Sequence, residues 1–298
     1  MRNTPIQAGH DAYELLIVRY ATKTVDSTMA NYYCADIYAA ADSVSQMDYY
    51  FWVARNSTRT VLIDCGFDGD RASHRGEHHD HDPLDTLTRL GIKPDDVDAI
   101  ILSHMHYDHA GNIDKFPQAT VLVSQREFDF WTGPLAGRPV FAWTVETTEI
   151  DAVRQAGQQG RLRLIGETEE VFPGITVSPI GGHTPGMALT TVATAAGLVV
   201  LASDAIHFYD EMDLDRPFFL FSDLPEMYEG YGLLRSLGER EDTVVIAGHD
   251  PAAFSRFTPL CGELGDYVGR LGSSLAQPAS SVSRSADAGC CEPAPDRA

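Results

Sequence analysis

Four side chains that can bind a metal ion lie within six consecutive residues of the chain. They are His104, His106, Asp108 and His109, in the sequence SHMHYDHAGN that spans residues 103–112. Imidazole and carboxylate groups are ligands that Zn²⁺ accepts in proteins. Three histidines and one aspartate at this density have no rationale in hydrophobic packing, so we predict a metal site here rather than a solvated polar loop.

An apolar segment precedes these ligands. Residues 97–102 read VDAIIL, which is typical of a short buried strand, and Gly111 follows the ligands where the chain turns away. Ligands at the carboxyl end of a strand occupy the edge where α/β folds build their sites. Three later apolar segments also end on a candidate ligand, namely His183, Asp204 and His249. Each of these histidines taken singly is typical of a packed turn residue, but together they predict one site.

The pattern His-x-His-x-Asp-His resembles the signature of the metallo-β-lactamase superfamily, and the later candidates follow in the superfamily's order. The resemblance implies an α+β four-layer αβ/βα sandwich, the metallo-β-lactamase fold. It also implies two Zn²⁺ ions, or other divalent metals in their place. One metal is then expected on His104, His106 and His183, the second on Asp108, His109 and His249, with Asp204 bridging both.

Residues 13–259 look most like the N-acyl-homoserine lactonase group of this superfamily. The local resemblances are HMHYDHAGN, GGHTPGM, LASDAIHFY and AGHDP. They imply a quorum-quenching enzyme in which a hydroxide held between two metals opens a lactone ring, with Asp108 as a proton shuttle as well as a ligand. The alternative is a related metallo-hydrolase acting on another ester, an amide or a thioester of a small metabolite. The resemblance further implies that Asp64, in an Asp-x-Gly motif, supports the metal ligands.

One position departs from the lactonase pattern. Quorum-quenching lactonases carry a tyrosine three residues after the bridging aspartate, where its hydroxyl contacts the substrate carbonyl. This chain has His207 there, with Tyr209 two residues further on. We expect His207 to donate the same hydrogen bond; the alternatives are that the substrate differs from that of these lactonases or that His207 has an ordinary packing role. Tyr107, inside the metal motif, is equally consistent with substrate contact and with packing.

Two other classes fit the residues less well. An oxygen-dependent iron enzyme on the same fold keeps a mononuclear site and usually lacks part of the second ligand set, whereas Asp108, His109 and His249 are all present here. A structural zinc site is closed and often rich in cysteine, which this set is not. We therefore favour a catalytic metal centre.

Composition restricts the partners of the chain. It has 298 residues, 44% of them hydrophobic, and a formal net charge of −21. Such an acidic surface repels nucleic acid. The five cysteines are odd in number and show no disulfide framework. Neither a signal peptide nor an apolar run of the ~18 residues that span a membrane is visible. We expect a cytoplasmic monomer or homodimer that acts on a small molecule with a lactone or ester carbonyl.

Apolar runs and turn residues predict the surrounding elements. We assign residues 1–270 to one hydrolase domain and residues 271–298, which are rich in Ser, Ala and Pro, to a disordered tail containing Cys290 and Cys291. Ser124 and Glu127 match a capping box at the start of a helix. The histidine-rich segment 74–81 lacks regular ligand spacing and is interpreted as a mobile surface loop. Strands are predicted at 13–20, 97–102, 119–123, 162–165, 175–180, 198–202 and 243–247, a hairpin at 49–63, helices at 83–90, 124–131, 145–155 and 225–237, and irregular chain at 22–41.

Overall fold

A computed structural model describes residues 12–38, 42 and 44–272 of the chain. The strands are β1 (Glu14–Val25), β2 (Ser45–Arg55), β3 (Thr60–Ile63), β4 (Ala99–Ile101), β5 (Thr120–Ser124), β6 (Leu162–Ile165), β7 (Glu169–Phe172), β8 (Ile175–Pro179), β9 (Ala188–Thr194), β10 (Gly197–Ser203), β11 (Thr243–Ala247), β12 (Thr258–Pro259) and β13 (Val268–Arg270). The α-helices are α1 (Gly69–Ser73), α2 (Pro83–Arg89), α3 (Tyr107–Ala110), α4 (Gln125–Trp131), α5 (Pro139–Ala142), α6 (Thr147–Gln158), α7 (Tyr209–Leu214), α8 (Leu224–Gly238) and α9 (Pro251–Phe254).

The strands form two sheets. The larger sheet has the order β12-β13-β1-β2-β3-β4-β5-β6, and the smaller sheet has the order β11-β10-β9-β8-β7. Strands β3 to β6 run parallel to one another, and β10 runs parallel to β11. Because parallel neighbours end at the same edge of a sheet, loops that follow these strands in sequence meet in space.

The two sheets pack face to face through a shared core. Side chains alternate along a strand, so successive residues of β1 enter different layers. Leu15 and Ile17 lie between the sheets, in one apolar cluster with Val199 of β10 and Ile246 of β11. Leu16 faces the opposite side of the larger sheet. Both faces of the first part of β1 are therefore buried, whereas residues 22–25 are half-buried or exposed.

Helices cover the outer face of each sheet. Leu87 of α2, Trp131 of α4 and Val153 of α6 belong to the apolar cluster on the outer face of the larger sheet. Tyr231 and Leu234 of α8 belong to the cluster on the outer face of the smaller sheet. The layer order is helix, sheet, sheet, helix, and the predicted four-layer αβ/βα sandwich is confirmed.

The predicted hairpin is confirmed, but the first predicted strand is too short. Strand β2 pairs antiparallel with β3, and the Asn56 side chain accepts hydrogen bonds from two backbone amides in the turn between them. Strand β1 continues past Tyr20 to Val25, paired with the start of β2, after a register shift between Arg19 and Ala21. The prediction of irregular chain from residue 22 was therefore wrong at its start. Its polar sequence concealed a strand whose hydrogen-bonding partner lies 20 to 26 residues away.

Other predictions concern segments at the periphery. None of the helices in the described ranges is long and apolar enough to cross a membrane. Cys34, Cys65 and Cys261 are free thiols. The predicted tail lies outside the described residues, except for residues 271 and 272.

Candidate metal centre

Four chain segments meet at the edge where the parallel strands end. His104 follows β4, and His106 directly precedes the short helix α3, which carries Asp108 and His109. The other three candidates come from the smaller sheet: His183 lies between β8 and β9, Asp204 follows β10, and His249 follows β11. The structure brings all seven predicted ligands together, and all seven are buried: His104, His106, Asp108, His109, His183, Asp204 and His249.

The seven side chains fall into two groups that could each hold a metal ion. The first group contains His104, His106, His183 and Asp204, with one ligand atom from each within 4.8 Å of the others. His183 Nε2 lies 3.0 Å from His106 Nδ1. The second group contains Asp108, His109 and His249. Asp108 Oδ2 lies 3.5 Å from His109 Nε2 and 3.7 Å from His249 Nε2.

The carboxylate of Asp204 lies between the two groups. Its Oδ2 atom is 3.6 Å from His104 Nε2 and 3.4 Å from His183 Nε2. Its Oδ1 atom is 3.3 Å from His109 Nε2 and 3.1 Å from His249 Nε2. One oxygen therefore faces each group, which is the arrangement that a bridging carboxylate requires.

The donor atoms fit metal ions in spacing and in bonding state. Ligand atoms bound tetrahedrally at about 2.0–2.1 Å lie about 3.3–3.4 Å from one another. The separations between Asp204 and four of the candidate ligand histidines, 3.1 to 3.6 Å, match this spacing. His104 Nε2, His109 Nε2 and Asp204 Oδ1 are buried without a hydrogen-bond partner. Buried polar atoms without partners are costly, and bound cations would satisfy these three.

Burial keeps the first group of histidines in the form that binds metal. It lowers the pKa of His104 and of His183 well below the ordinary value, and it lowers the pKa of His106 to about 4. A metal ligand must be a neutral imidazole, so no proton has to be displaced from these three rings near neutral pH.

Negative charge dominates the second group. Burial lowers the pKa of His109, but the carboxylates of Asp204, Asp108 and Asp64 outweigh burial and raise this pKa well above the ordinary value. Burial raises the pKa of Asp108, but His109 and His249 outweigh it and hold the pKa at about 2. The charge that attracts a proton to this group equally attracts a divalent cation.

The outward-facing nitrogens of four ligand histidines contact protein oxygens, and His104 Nδ1 lies 3.0 Å from Ser103 Oγ. His109 Nδ1 lies 2.8 Å from Asp64 Oδ2, and His183 Nδ1 lies 2.9 Å from the carbonyl oxygen of Leu220. His249 Nδ1 lies 2.8 Å from the carbonyl oxygen of Asp48. Such contacts set the tautomer and leave Nε2 free to bind metal. Asp64 therefore lies where the resemblance placed it, and the two backbone carbonyls had no signal in the sequence.

The predicted capping box at Ser124 is wrong. Ser124 is the N-cap of α4, but its side chain makes no capping hydrogen bond. Glu127 is instead fully buried and bonds to donors from the segments around His104 and His183. Because Glu127 lies three residues after a serine, its position in the sequence is typical of a capping residue. Its contacts with the segments around the metal centre were therefore not predicted.

His207 lies beside the candidate ligands. Its Nε2 is 3.1 Å from Asp204 Oδ2, its Nδ1 is 3.2 Å from Glu211 Oε1, and its ring stacks on Phe218 at a centroid distance of 3.6 Å. Burial lowers the pKa of His207, but Asp204 and Glu211 outweigh it and raise this pKa to about 9. Glu211, in the first turn of α7, was also missed, although it follows His207 by only four residues in the sequence.

The two tyrosines singled out in the sequence have different surroundings. The Tyr209 hydroxyl donates to the carbonyl oxygen of Val245 in β11. Tyr107 lines the cavity over the metal centre, between the ring of Phe67 at 5.9 Å and the guanidinium of Arg75 at 4.3 Å from its ring centroid. Of the two, Tyr107 lines this cavity and Tyr209 does not.

A cavity of about 750 Å³ opens onto the candidate ligands. Its floor includes His106, Asp108, His183, Asp204 and His249, and the His207 ring borders it. The segment predicted as irregular chain, 22–41, lines part of this cavity through residues 23–26, 30 and 31. The histidine-rich segment takes no part in either candidate ligand group within the described ranges. Apolar side chains form much of the wall, among them Met47, Trp143, Phe218, Phe219 and Leu220.

Comparison with known proteins identifies the superfamily that the sequence resembles, and the relatives it finds include N-acyl homoserine lactonases. A profile of the family described as Metallo-beta-lactamase superfamily matches residues 48–249. The N-acyl homoserine lactonase AttM of Azorhizobium caulinodans is 31% identical over 181 residues, which cover 56% of this chain and 64% of that protein. AttM of Rhizobium radiobacter is 28% identical over 187 residues, covering 58% of this chain and 66% of that protein. The match thus spans slightly less than two thirds of each relative.

Solved structures share the fold over most of the chain. AidC, described as a dizinc quorum-quenching lactonase in complex with a product, aligns with a TM-score of 0.66 at 19% identity, over 82% of this chain and 89% of its own.

Proposed function

Since the chain belongs to the metallo-β-lactamase superfamily, we propose that it is a dizinc hydrolase that opens the ring of N-acyl-homoserine lactones. One observation carries the proposal: two groups of metal-binding side chains share Asp204 at the floor of a cavity with apolar walls. The relatives whose names state a lactonase activity support the choice of substrate. In this proposal the first metal is held by His104, His106, His183 and Asp204, and the second by Asp108, His109, His249 and Asp204.

The reaction adds water across the ester bond of the ring. The water oxygen attaches to the carbonyl carbon, the bond to the ring oxygen breaks, and a proton moves to that oxygen, giving the open N-acyl-homoserine. Two bound Zn²⁺ ions would supply Lewis acidity and a water of lowered pKa.

The cavity walls would hold the acyl chain. Phe218, Phe219 and Leu220 line one side, and Met47 and Trp143 also contribute apolar surface. Burying an alkyl chain here gains about 25 cal/mol for each Å² of apolar surface removed from water. With the tail against this wall, the lactone carbonyl can approach the cavity floor beside Asp204 and His207.

His207 is positioned to donate a hydrogen bond to the lactone carbonyl. Glu211 contacts Nδ1, and the backbone amides of His207 and Phe208 also donate to the same Glu211 oxygen, which fixes the start of α7. Phe218 covers one ring face. The remaining nitrogen, Nε2, lies at the cavity border beside Asp204. A donor held in place before the substrate arrives stabilises the negative charge that develops on the carbonyl oxygen.

Asp108 is the proposed proton carrier. It lines the cavity, and its low pKa keeps it ionised, so it can accept the proton released by the attacking water. Passing that proton to the ring oxygen completes the reaction.

The proposal is tested with zinc-loaded protein and N-hexanoyl-homoserine lactone. Acid release is followed with a pH indicator, and the addition of one water is followed by mass spectrometry. Asp204→Asn should abolish turnover and Asp98→Asn, an exposed carboxylate bonded to the Thr60 amide, should not. The lactone assignment is wrong if the zinc-loaded protein leaves this substrate intact while it hydrolyses p-nitrophenyl esters or thioesters, which is the outcome expected of the alternative hydrolase.

We also propose that residues 1–270 form one hydrolase domain and that residues 271–298 are dispensable. Strand β13 ends at Arg270 inside the larger sheet, and the Leu271 amide donates to the carbonyl oxygen of Leu15. A chain ending after residue 272 should keep its zinc content and turnover; loss of either would contradict this boundary. The cytoplasmic location, the monomer or homodimer and the absence of nucleic-acid partners stay predictions.

A further inference from the structure

A buried carboxylate outside both ligand groups connects two of the ligand-bearing segments. Glu127, in the first turn of α4, is 0% exposed. One of the segments around it contains His104 and His106, and the other contains His183. The described structure places no arginine or lysine in an ion pair with Glu127, so its charge is stabilised by hydrogen bonds.

Four donors converge on the two oxygens of Glu127. Oε1 accepts from the Met105 amide at 2.9 Å and from Trp131 Nε1 at 2.6 Å. Oε2 accepts from Thr184 Oγ1 at 2.7 Å and from the Gly186 amide at 2.9 Å. Oε1 therefore accepts hydrogen bonds from the segment that contains His104 and His106 and from α4. Oε2 accepts hydrogen bonds from the segment that contains His183.

The donors lie directly beside the three histidines of the first ligand group. Met105 stands between His104 and His106 in the chain, and Thr184 follows His183. The Trp131 ring lies 5.7 Å from the His106 ring. Fixing these neighbours fixes the backbone from which the three imidazoles project.

The second segment fits closely onto α4. A Cβ atom placed on Gly186 would lie 2.1 Å from the Glu127 amide nitrogen and 2.5 Å from its Cα. Only glycine allows the segment to approach this near, and the approach brings the Gly186 amide within reach of Oε2.

The other ligand group is supported by different contacts. His109 contacts the Asp64 side chain, and His249 contacts the carbonyl oxygen of Asp48. The hydrogen bonds of Glu127 reach none of the residues of this group. Asp64 also reaches the first group through Ser103, whose Oγ lies 3.0 Å from His104 Nδ1, whereas the hydrogen bonds of Glu127 are confined to the segments of the first group and to α4.

We propose that Glu127 is a positioning residue that assembles the His104, His106 and His183 half of the centre and thereby sets the affinity of one of the two metals. This inference concerns metal binding alone. It is tested without substrate, so its outcome does not depend on whether the chain opens lactones.

The test is a zinc titration of the metal-free full chain against a competing chelator. Glu127→Gln keeps the size of the side chain but places an NH₂ group against donors, and the amide N–H groups of Met105 and Gly186 cannot reverse to accept from it. Changes to groups that orient metal ligands typically cost 10–100-fold in metal affinity. We expect one of the two zinc sites to weaken by at least about 10-fold and the other to keep its affinity within about 2-fold.

Glu149→Gln is the matched control. Glu149 is a buried glutamate at the start of α6, where it accepts from the Glu146 amide. Its substitution should lower the midpoint of unfolding, measured in chelator, without changing either zinc affinity. If Glu127→Gln weakens both sites equally, or changes zinc affinity no more than Glu149→Gln does, Glu127 has only a structural role and the proposal fails.

A double-mutant cycle identifies which half is affected. In a His183→Ala background, whose first site is already disrupted, Glu127→Gln should cause little further loss of zinc affinity. In a His249→Ala background, Glu127→Gln should cause the same loss of zinc affinity as it causes in the parent chain. Full losses in both backgrounds would overturn the proposal.

If Glu127→Gln does not fold, Thr184→Val is the variant to test, because it removes one of the four hydrogen bonds to Glu127. It should weaken the same single site by a smaller factor, and an unchanged site would count against the proposal.

Discussion

Substituting Asp64 by asparagine should weaken zinc binding by changing the tautomer of His109. Asp64 Oδ1 accepts from the Ser103 amide at 2.8 Å, and this N–H can only donate. The new amide oxygen must therefore occupy the Oδ1 position, which places the NH₂ group 2.8 Å from His109 Nδ1. An NH₂ donating to Nδ1 moves the ring proton to Nε2, the atom that faces Asp204 and Asp108. A protonated Nε2 cannot bind metal.

The expected size of the effect follows from the directness of this contact. Loss of the partner that orients a ligand histidine typically costs 10–100-fold in metal affinity, which corresponds to about 1.4–2.7 kcal/mol. Backbone strain should add little, because Asp64 has a φ of 59° and asparagine tolerates the left-handed region.

The assay is zinc bound per chain at controlled free zinc. Glu149→Gln is the control: Glu149 is also buried, its carboxylate accepts from the Glu146 amide, and it belongs to neither ligand group. Asp64→Asn should lose zinc in the predicted range while Glu149→Gln retains parental affinity. Parental affinity in Asp64→Asn would refute the argument about the His109 tautomer.

Three further predictions concern packing, pH and substrate. Gly186→Ala should destabilise the chain by about 1–3 kcal/mol because its new Cβ collides with the Glu127 backbone; Gly137→Ala, which meets nothing within 4 Å, is the control, and equal denaturation midpoints would contradict the prediction. Burial raises the pKa of Tyr32 to about 12 in the folded protein. Between pH 10 and pH 12 only the unfolded chain ionises this phenol, so the free energy of unfolding should fall by about 2–3 kcal/mol over this range. The unfolding free energy of Tyr32→Phe should fall less over this pH range than that of the parent protein. An identical fall in both proteins would contradict the prediction. Phe219→Ala should raise KM about 5-fold for N-decanoyl-homoserine lactone through loss of about 1 kcal/mol of apolar contact, with little change for the N-butanoyl substrate; equal KM changes would place the acyl chain elsewhere.

The sequence predicted the centre better than its surroundings. The seven candidate ligands could be found because histidine and aspartate at strand ends serve no packing purpose, and the apolar runs before His104, Asp204 and His249 identify buried strands. The division of the ligands into two groups came from the family resemblance, since spacing alone does not show which side chains meet across two sheets. The predicted pairing of strands around residues 49–63 held because the turn residues are local.

The supports of the centre were beyond sequence reasoning for a physical reason. Glu127 contacts residues 57 and 59 positions away, and the carbonyl oxygen of Asp48 supports a histidine 201 positions away. Backbone carbonyls carry no residue signature, and a buried glutamate on a short helix resembles a solvent-exposed one. The extension of β1 to Val25 was missed because the polar residues there pair with a distant strand rather than following an apolar pattern.

Anomalous diffraction at the zinc edge from zinc-loaded crystals tests the central claim most directly. We predict two peaks, one between His104, His106 and His183 and one between Asp108, His109 and His249, with Asp204 contributing an oxygen to each. A single peak, or peaks away from Asp204, would contradict the assignment of a dinuclear centre.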